Sequence, residues 1–336
     1  MVRESGTEET AQAQTAPAAR PRGRAGAALK LVLAWAIFLG LLAWVTRKVS
    51  FGELWSSLRP PPWWALVLPL LGMTASYAFR GLRIHAELSR RHPVTRRQCL
   101  RVMLLHNTAV NLVPMRGGEA AYPLLVNRQL GVPLVEAVAS LVWIRSQDTL
   151  LLSLMVVGFL PGVPVFAKAL LVAVGLGTVL ALIALLQRFV ARRGAAPAPS
   201  SRFLRMGLAA LEALSKAPRH GVAGWIYGSA SWAVKLLALG ILLSRLGGFS
   251  LTDAAAGALG GELAGVLPIQ GPAGFGTYEA GVFAGVALYG RAALRVAAPA
   301  VAVHLFSLAT AVAAGAIAWA LSPSASARHD LEQRHA

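Results

Sequence analysis

Val113-Pro114-Met115-Arg116-Gly117-Gly118-Glu119 interrupts one apolar stretch of this 336-residue chain, and Leu267-Pro268-Ile269-Gln270-Gly271-Pro272-Ala273-Gly274-Phe275-Gly276-Thr277-Tyr278-Glu279 interrupts another. Each break joins proline and glycines to a nearby glutamate. Inside a bilayer a broken helix survives only where protein or a water-filled cavity satisfies the freed backbone groups. Two interruptions at matching places in two halves therefore point to a polar site near the midplane, and to a transporter-like membrane protein.

Composition agrees. Apolar residues make up 56% of the chain, charged residues only 14%, and the mean hydropathy is +0.59, outside the range of an ordinary soluble domain. A net charge of +18 raises the question of nucleic acid, but the basic residues are not interleaved with aromatics over a soluble surface. Arg80, Arg83, Arg90, Arg91, Arg96, Arg97 and Arg101 read as one basic loop. Arg188, Arg192, Arg193, Arg202, Arg205, Lys216 and Arg219 read as a second. Such loops are retained in the cytoplasm, facing the anionic inner leaflet. The single cysteine, Cys99, excludes an internal disulfide or a cysteine metal cluster and reads as a bystander at the interface.

Residues 1–28 lack the apolar content to fold and read as a disordered cytoplasmic tail. Leu29 to Val45 reads as a retained first helix rather than a removed signal peptide. Five further spans, each near the roughly 20 residues needed to cross about 30 Å of hydrocarbon, lie at Pro62 to Phe79, Leu134 to Leu160, Pro164 to Leu186, Val222 to Ser244 and Val296 to Leu321. Ser50 to Leu58 suits an interfacial segment outside the cytoplasm, with Trp63 and Trp64 in an aromatic belt.

Parity sets the course of the broken segments. If both basic loops are cytoplasmic, an even number of crossings separates Arg97 from Arg188, and two spans already supply it. Leu100 to Leu130 then enters and leaves by one face, as a re-entrant hairpin with its tip at Pro114 to Gly118. The same counting makes Ala254 to Tyr289 a hairpin from the opposite face and leaves Arg291 and Arg295 outside, against the charge bias of cytoplasmic loops. Two full crossings in place of either hairpin are the alternative. The expected architecture is an all-α polytopic membrane protein of about six full helices plus two opposed re-entrant hairpins in an inverted repeat. Its first repeat covers about 62–187, a basic linker 188–220 and its second repeat about 221–321, within a membrane domain of 29–321 followed by a cytoplasmic tail, 322–336.

Seven ionisable side chains fall near membrane depth: Arg116, Arg145 and Lys235 against Glu119, Asp148, Glu262 and Glu279. Facing lipid they would be costly, so they are expected to face inward and neutralise one another. Arg145 and Asp148, at i and i+3, form either a structural pair pinning their helix to the hairpin or a contact for substrate or protons. At the first tip, Gly117 and Gly118 permit a tight turn, and the following half-helix offers an N-terminus that favours anions. Arg116 adds a guanidinium suited to phosphate. Gly271, Gly274 and Gly276, with Thr277, repeat the design at the second tip. The other reading is that glycines only let helices approach, as Gly261/Gly265 and Gly281/Gly285 do at GxxxG spacing. Asn107 and Asn111 either line the cavity or satisfy carbonyls freed before Pro114. Glu119 and Glu279 are either proton carriers or helix caps. His304, with Ser307 three residues on, reads as a packed, hydrogen-bonded histidine rather than a metal ligand.

The chain contains no GxxxxGK[ST], HExxH or GxSxG, so neither a metal nor a cofactor is expected, and an ion gradient, a lipid gradient or a partner protein is left as the energy source.

The run Asn111 to Glu119, then Arg145-x-x-Asp148, then Pro268 through Gly274-Phe275-Gly276-Thr277-Tyr278-Glu279-Ala280 resembles the flippase-like family of the lysylphosphatidylglycerol synthase transmembrane region, over nearly the whole chain outside its tails. Many members place an arginine three residues after the first glutamate, where this chain has Tyr122. The resemblance implies movement of a polar-headed lipid from the inner to the outer leaflet of a bacterial-type cytoplasmic membrane, with both termini cytoplasmic. Because the chain ends soon after Leu321, no lysyl transfer is expected. Similarity to membrane regions found with glycosyltransferases makes separate lipid-synthesising or glycosyltransferase enzymes candidate partners beside the membrane lipids themselves.

The leading expectation is thus a lipid flippase, with Arg116 on the phosphate, Glu119 and Glu279 in coupling or tip architecture, and Arg145 with Asp148 in gating. A membrane-embedded lipid-modifying enzyme and a non-transporting scaffold for envelope-lipid enzymes are the rivals.

Overall fold

The computed structural model describes residues 52, 60–193, 208, 211–212, 222–266, 271–290 and 296–320, with the backbone alone at 114–116, 180, 183, 186 and 193. The expected helix from Leu29 to Val45, both tails, most of the linker beyond Arg193, Pro268, Arg291 and Arg295 lie outside these residues.

The described residues are helical, without strands. Helix α1, Trp64–Leu88, begins directly after three prolines that cannot continue a helix backwards. Helix α2, Arg96–Leu112, opens on a capping box: Thr95 Oγ1 accepts from the Gln98 amide at 3.3 Å, and Gln98 Oε1 accepts from the Thr95 amide at 2.9 Å. It stops at Val113, which is extended (φ −85°, ψ 119°) because Pro114 follows. A 3₁₀ turn, Pro114–Ala120, leads into α3, Ala121–Leu130, closed by Gly131 at φ +69°.

Helix α4, Leu134–Phe159, and α5, Val165–Arg193, follow. After the linker come α6, Ala223–Gly247, and α7, Leu251–Ala264, the latter capped by Ser250 Oγ, which accepts from the Asp253 amide at 3.1 Å. A short 3₁₀ turn at Pro272–Gly274 precedes α8, Thr277–Ala287, and α9, Ala297–Ala320, ends the series.

The order long helix, broken helix pair, long helix occurs twice: α1, α2/α3, α4 and then α6, α7/α8, α9. Helices α1 and α6 pack together extensively and antiparallel, with Gly72 against Ala238, Ser76 against Ser231 and Arg83 against Gly228. Helices α7 and α8 also run antiparallel, at a separation that only glycine permits. A Cβ at Gly260 would collide with the Gly281 carbonyl, and one at Gly285 with that of Ala256. In lipid, where no hydrophobic force draws helices together, such backbone approach is a main source of association. The working partners are Gly257, Gly260 and Gly261 on α7 and Gly281 and Gly285 on α8, whereas Gly265 meets only its own chain neighbours.

Among the described residues, four helices, α1, α4, α6 and α9, are long and apolar enough to cross a membrane, and the Val165–Val179 part of α5 is also apolar. Polarity is inverted relative to a soluble protein. Trp63, Leu71, Phe166, Leu170 and Trp319 are exposed, while Ser76, Arg83, Gln147, Asp148, Lys235 and His304 are buried.

Two expectations are corrected. Cys99 is not at an interface but fully buried in the core. Arg80 and Arg83 do not belong to a loop: α1 runs nine residues past Phe79, to Leu88, because the Arg83 side chain has inward partners that make burial affordable.

Candidate functional site

A cavity of about 920 Å³ lies between the two broken helix pairs and is walled by residues from each of the helices α1 to α9. Its described wall includes Arg80, Arg83, Arg145 and Lys235 together with Glu119, Asp148 and Glu262.

Asp148 is the hub. It is 6% exposed and accepts from Arg83 Nη1 at 2.6 Å, Trp232 Nε1 at 2.9 Å and Arg145 Nη1 at 3.2 Å. Arg83 uses its other terminal nitrogen on Gln147 Oε1 (2.7 Å) and the Ile144 carbonyl (3.0 Å). One carboxylate thus ties α1, α4 and α6 together, and charge-assisted bonds among buried partners are the strong kind.

Arg145 extends the network to the first break. Its Nη2 lies 3.0 Å from Glu119 Oε1, its Nε 3.1 Å from Glu119 Oε2, and its Nη2 3.3 Å from His106 Nε2, which must accept because a guanidinium has no acceptor. The i,i+3 pair Arg145–Asp148 therefore forms and also pins the 3₁₀ turn to α4. Lys235 donates to Glu262 at 2.6 Å, joining α6 to α7.

At the first tip, Gly118 sits so close to the backbone of Ala109 that a Cβ would overlap the carbonyl, and Gly117 faces Val113. The Ala121 amide donates to the Gly118 and Glu119 carbonyls, so the turn satisfies the first amide of α3. Asn111 lines the cavity, and its Nδ2 donates to the Asn107 carbonyl at 2.7 Å, one turn back within α2 rather than at the carbonyls freed by the break. Pro114 opens the turn; its side chain and that of Arg116 lie outside the described residues.

The second tip is held by Glu279. Its Oε2 accepts from the Gly276 amide at 2.6 Å, and its Oε1 lies 2.7 Å from His304 Nδ1. Gly274 and Gly276 have φ of +82° and +83°, which a side chain disfavours. Thr277 Oγ1 donates to the Gly274 carbonyl at 2.9 Å, and the bend leaves Gly271 against the Phe275 carbonyl. His304, 4% exposed, is stacked by Tyr278 with centroids 4.4 Å apart and touched by Phe275 at 4.6 Å. Gly274, Tyr278 and His304 reach the cavity wall, and Glu279 stands behind His304.

Of the residues singled out in the sequence, Asn107, Asn111, Glu119, Arg145, Asp148, Lys235, Glu262, Gly274 and His304 meet at one cavity. Gly117, Gly118, Gly271, Gly276, Thr277 and Glu279 build the turns around it. Four contributors were missed: Arg80, Arg83, His106 and Trp232. Among the described residues no group of three or more His, Cys, Asp or Glu is placed to hold a metal ion.

No curated protein and no solved structure matches the chain. The family model described as the lysylphosphatidylglycerol synthase TM region matches residues 29–315. With its apolar helices, this makes the chain a multi-pass membrane protein. The chain belongs to the family of the lysylphosphatidylglycerol synthase transmembrane region.

Proposed function

We propose that the protein is a lipid flippase of a bacterial-type cytoplasmic membrane, moving a polar-headed lipid, phosphate-containing or modified, between leaflets. Both termini face the cytoplasm. The two broken helix pairs act as opposed re-entrant hairpins of an inverted repeat, which the antiparallel run of the equivalent helices α1 and α6 supports.

The observation that carries the reading is the charged cavity of about 920 Å³ between both breaks, in a bundle whose outer surface is apolar. A headgroup seated there exchanges water for fixed charges and dipoles while its acyl chains remain in lipid. The cavity wall continues onto the exposed face of α4 through Val142, Ser146, Thr149 and Ser153. Each of the three hydroxyls donates to the carbonyl four residues earlier, at 2.8–2.9 Å. This stripe tolerates lipid yet offers acceptor oxygens to a passing headgroup, supporting lateral access. Transport consists of exposing the cavity alternately to the two leaflets as the hairpins shift against α4 and α9. The cargo comes from separate lipid-synthesising or glycosyltransferase enzymes.

The test is leaflet exchange in proteoliposomes of a panel of labelled anionic, aminoacylated and isoprenoid lipids, with Glu279→Gln beside the native chain. Exchange of one class by the native chain is expected. No exchange of any lipid by well-reconstituted protein refutes the proposal. Product formed from lipid in detergent, where no leaflets exist, favours an enzyme instead.

A further inference from the structure

We propose that Arg80 anchors the phosphate of the transported lipid, an inference that deepens the flippase reading and rests on it. Among the described residues of the cavity wall, four cations face three carboxylates, so one positive charge is in excess. The terminal nitrogens of Arg83 and Arg145 and the ammonium of Lys235 are all engaged by acceptors at 2.6–3.3 Å.

Arg80 differs. Its Nε donates to Ser231 Oγ at 3.2 Å, and its guanidinium lies 4.9 Å from the centroid of the Trp232 ring. Ser231 is itself fixed, its Oγ 2.9 Å from that of Ser76, whose hydroxyl donates to the Ser231 carbonyl at 3.0 Å. Trp232 is locked by its bond to Asp148. One edge and one face of the guanidinium are thus held, and the edge bearing both terminal nitrogens has no hydrogen-bond partner among the described residues.

A planar fork with two parallel N–H donors, oriented in advance and half-buried in a low-dielectric wall, matches two oxygens of a phosphate. Lysine lacks this geometry. An uncompensated cation at membrane depth is expensive, and an anionic ligand relieves it. The ligand class is therefore a phosphate mono- or diester, presented by a lipid headgroup.

The experiment measures thermal stabilisation of the full chain in detergent by short-chain phosphatidylglycerol, by diacylglycerol and by inorganic phosphate. It is run on the native protein, Arg80→Gln, Arg80→Lys and Ser231→Ala, with leaflet exchange of phosphatidylglycerol measured in parallel. Native protein is expected to bind phosphatidylglycerol and not diacylglycerol. Arg80→Gln weakens this binding at least tenfold, and Arg80→Lys and Ser231→Ala weaken it less. Native-like binding by a folded Arg80→Gln protein overturns the proposal and leaves the flippase reading intact. Inorganic phosphate binding as tightly as the lipid overturns the lipid source of the anion. Arg80-dependent lipid binding without exchange of phosphatidylglycerol or of any other lipid of the panel sinks the flippase reading and retains the phosphate contact.

Discussion

Breaking the Arg83–Asp148 pair is expected to cost far more than removing either side of a surface pair, and removing both groups is expected to restore much of the loss. Arg83 is 3% exposed and Asp148 6%, with 2.6 Å between them. In Arg83→Met, Asp148 keeps Arg145 and Trp232 but loses its shortest partner, while Gln147 and the Ile144 carbonyl lose their donor. In Asp148→Leu, a buried guanidinium keeps only neutral acceptors. Losing one partner of a buried pair typically costs about 3–5 kcal/mol, whereas apolar replacement of both is often near neutral. At about 2–4 °C per kcal/mol for a chain of this size, each single variant should melt roughly 6–20 °C below the native protein. The double variant Arg83→Met/Asp148→Leu should melt no lower than the worse single, giving a coupling of at least about 3 kcal/mol. The assay is thermal unfolding in detergent, with Glu136→Gln as the exposed control. Arg91 and Glu136 are half-exposed and 3.9 Å apart, so that change should cost about 0–1 kcal/mol. Additive losses in the double variant, or single variants melting with the native protein, would refute Asp148 as the hub.

Four further outcomes can be checked by the same melts. Gly285→Ala drives a methyl into the Ala256 carbonyl and should destabilise by about 1–3 kcal/mol. Gly158→Ala, with nothing near its added Cβ inside α4, should be neutral or stabilise by up to about 1 kcal/mol. Glu279→Ala removes the acceptor of the Gly276 amide and should cost about 0.5–2 kcal/mol, as lost helix caps do, with Glu279→Gln retaining most of that stability. If Glu279→Gln nevertheless stops exchange, its charge beside His304 matters for transport as well as for the turn. Gly276→Ala, at φ +83°, should cost about 1–2 kcal/mol from the left-handed backbone alone; an unchanged melting temperature would show that the turn can rearrange.

The two breaks were legible because proline and glycine act locally: Pro114 forces Val113 out of the helix, and positive φ at Gly274 and Gly276 selects glycine, whatever lies around them. The pairing of Arg145 with Asp148 was legible from spacing, and that of Lys235 with Glu262 only as charges needing partners somewhere. The reach of Arg145 to Glu119 depends on how the 3₁₀ turn folds back on α2, which no local pattern records.

Arg80 and Arg83 show where reading by charge count went astray. Grouped with the five arginines that follow, they look like part of a cytoplasmic loop. Their spacing says otherwise. Met73, Ser76, Tyr77, Arg83, Ile84 and Glu87 are all buried, and Arg80 is half-buried, a stripe at steps of three and four along one face of a continuing helix. A polar residue on such a stripe needs a partner on the facing helix, and Ser231, Trp232 and Asp148 supply it. In a membrane protein the periodicity of polar residues therefore carries the information that apolar periodicity carries in a soluble one, because the interior is where charge can be satisfied. By that argument the membrane helix ends where the stripe ends, near Glu87, and the positive-inside count begins with Arg90. Of the seven arginines grouped by charge, only Arg90 and Arg91 lie between α1 and α2; Arg96, Arg97 and Arg101 sit on the opening turns of α2, and Arg80 and Arg83 pass to the cavity.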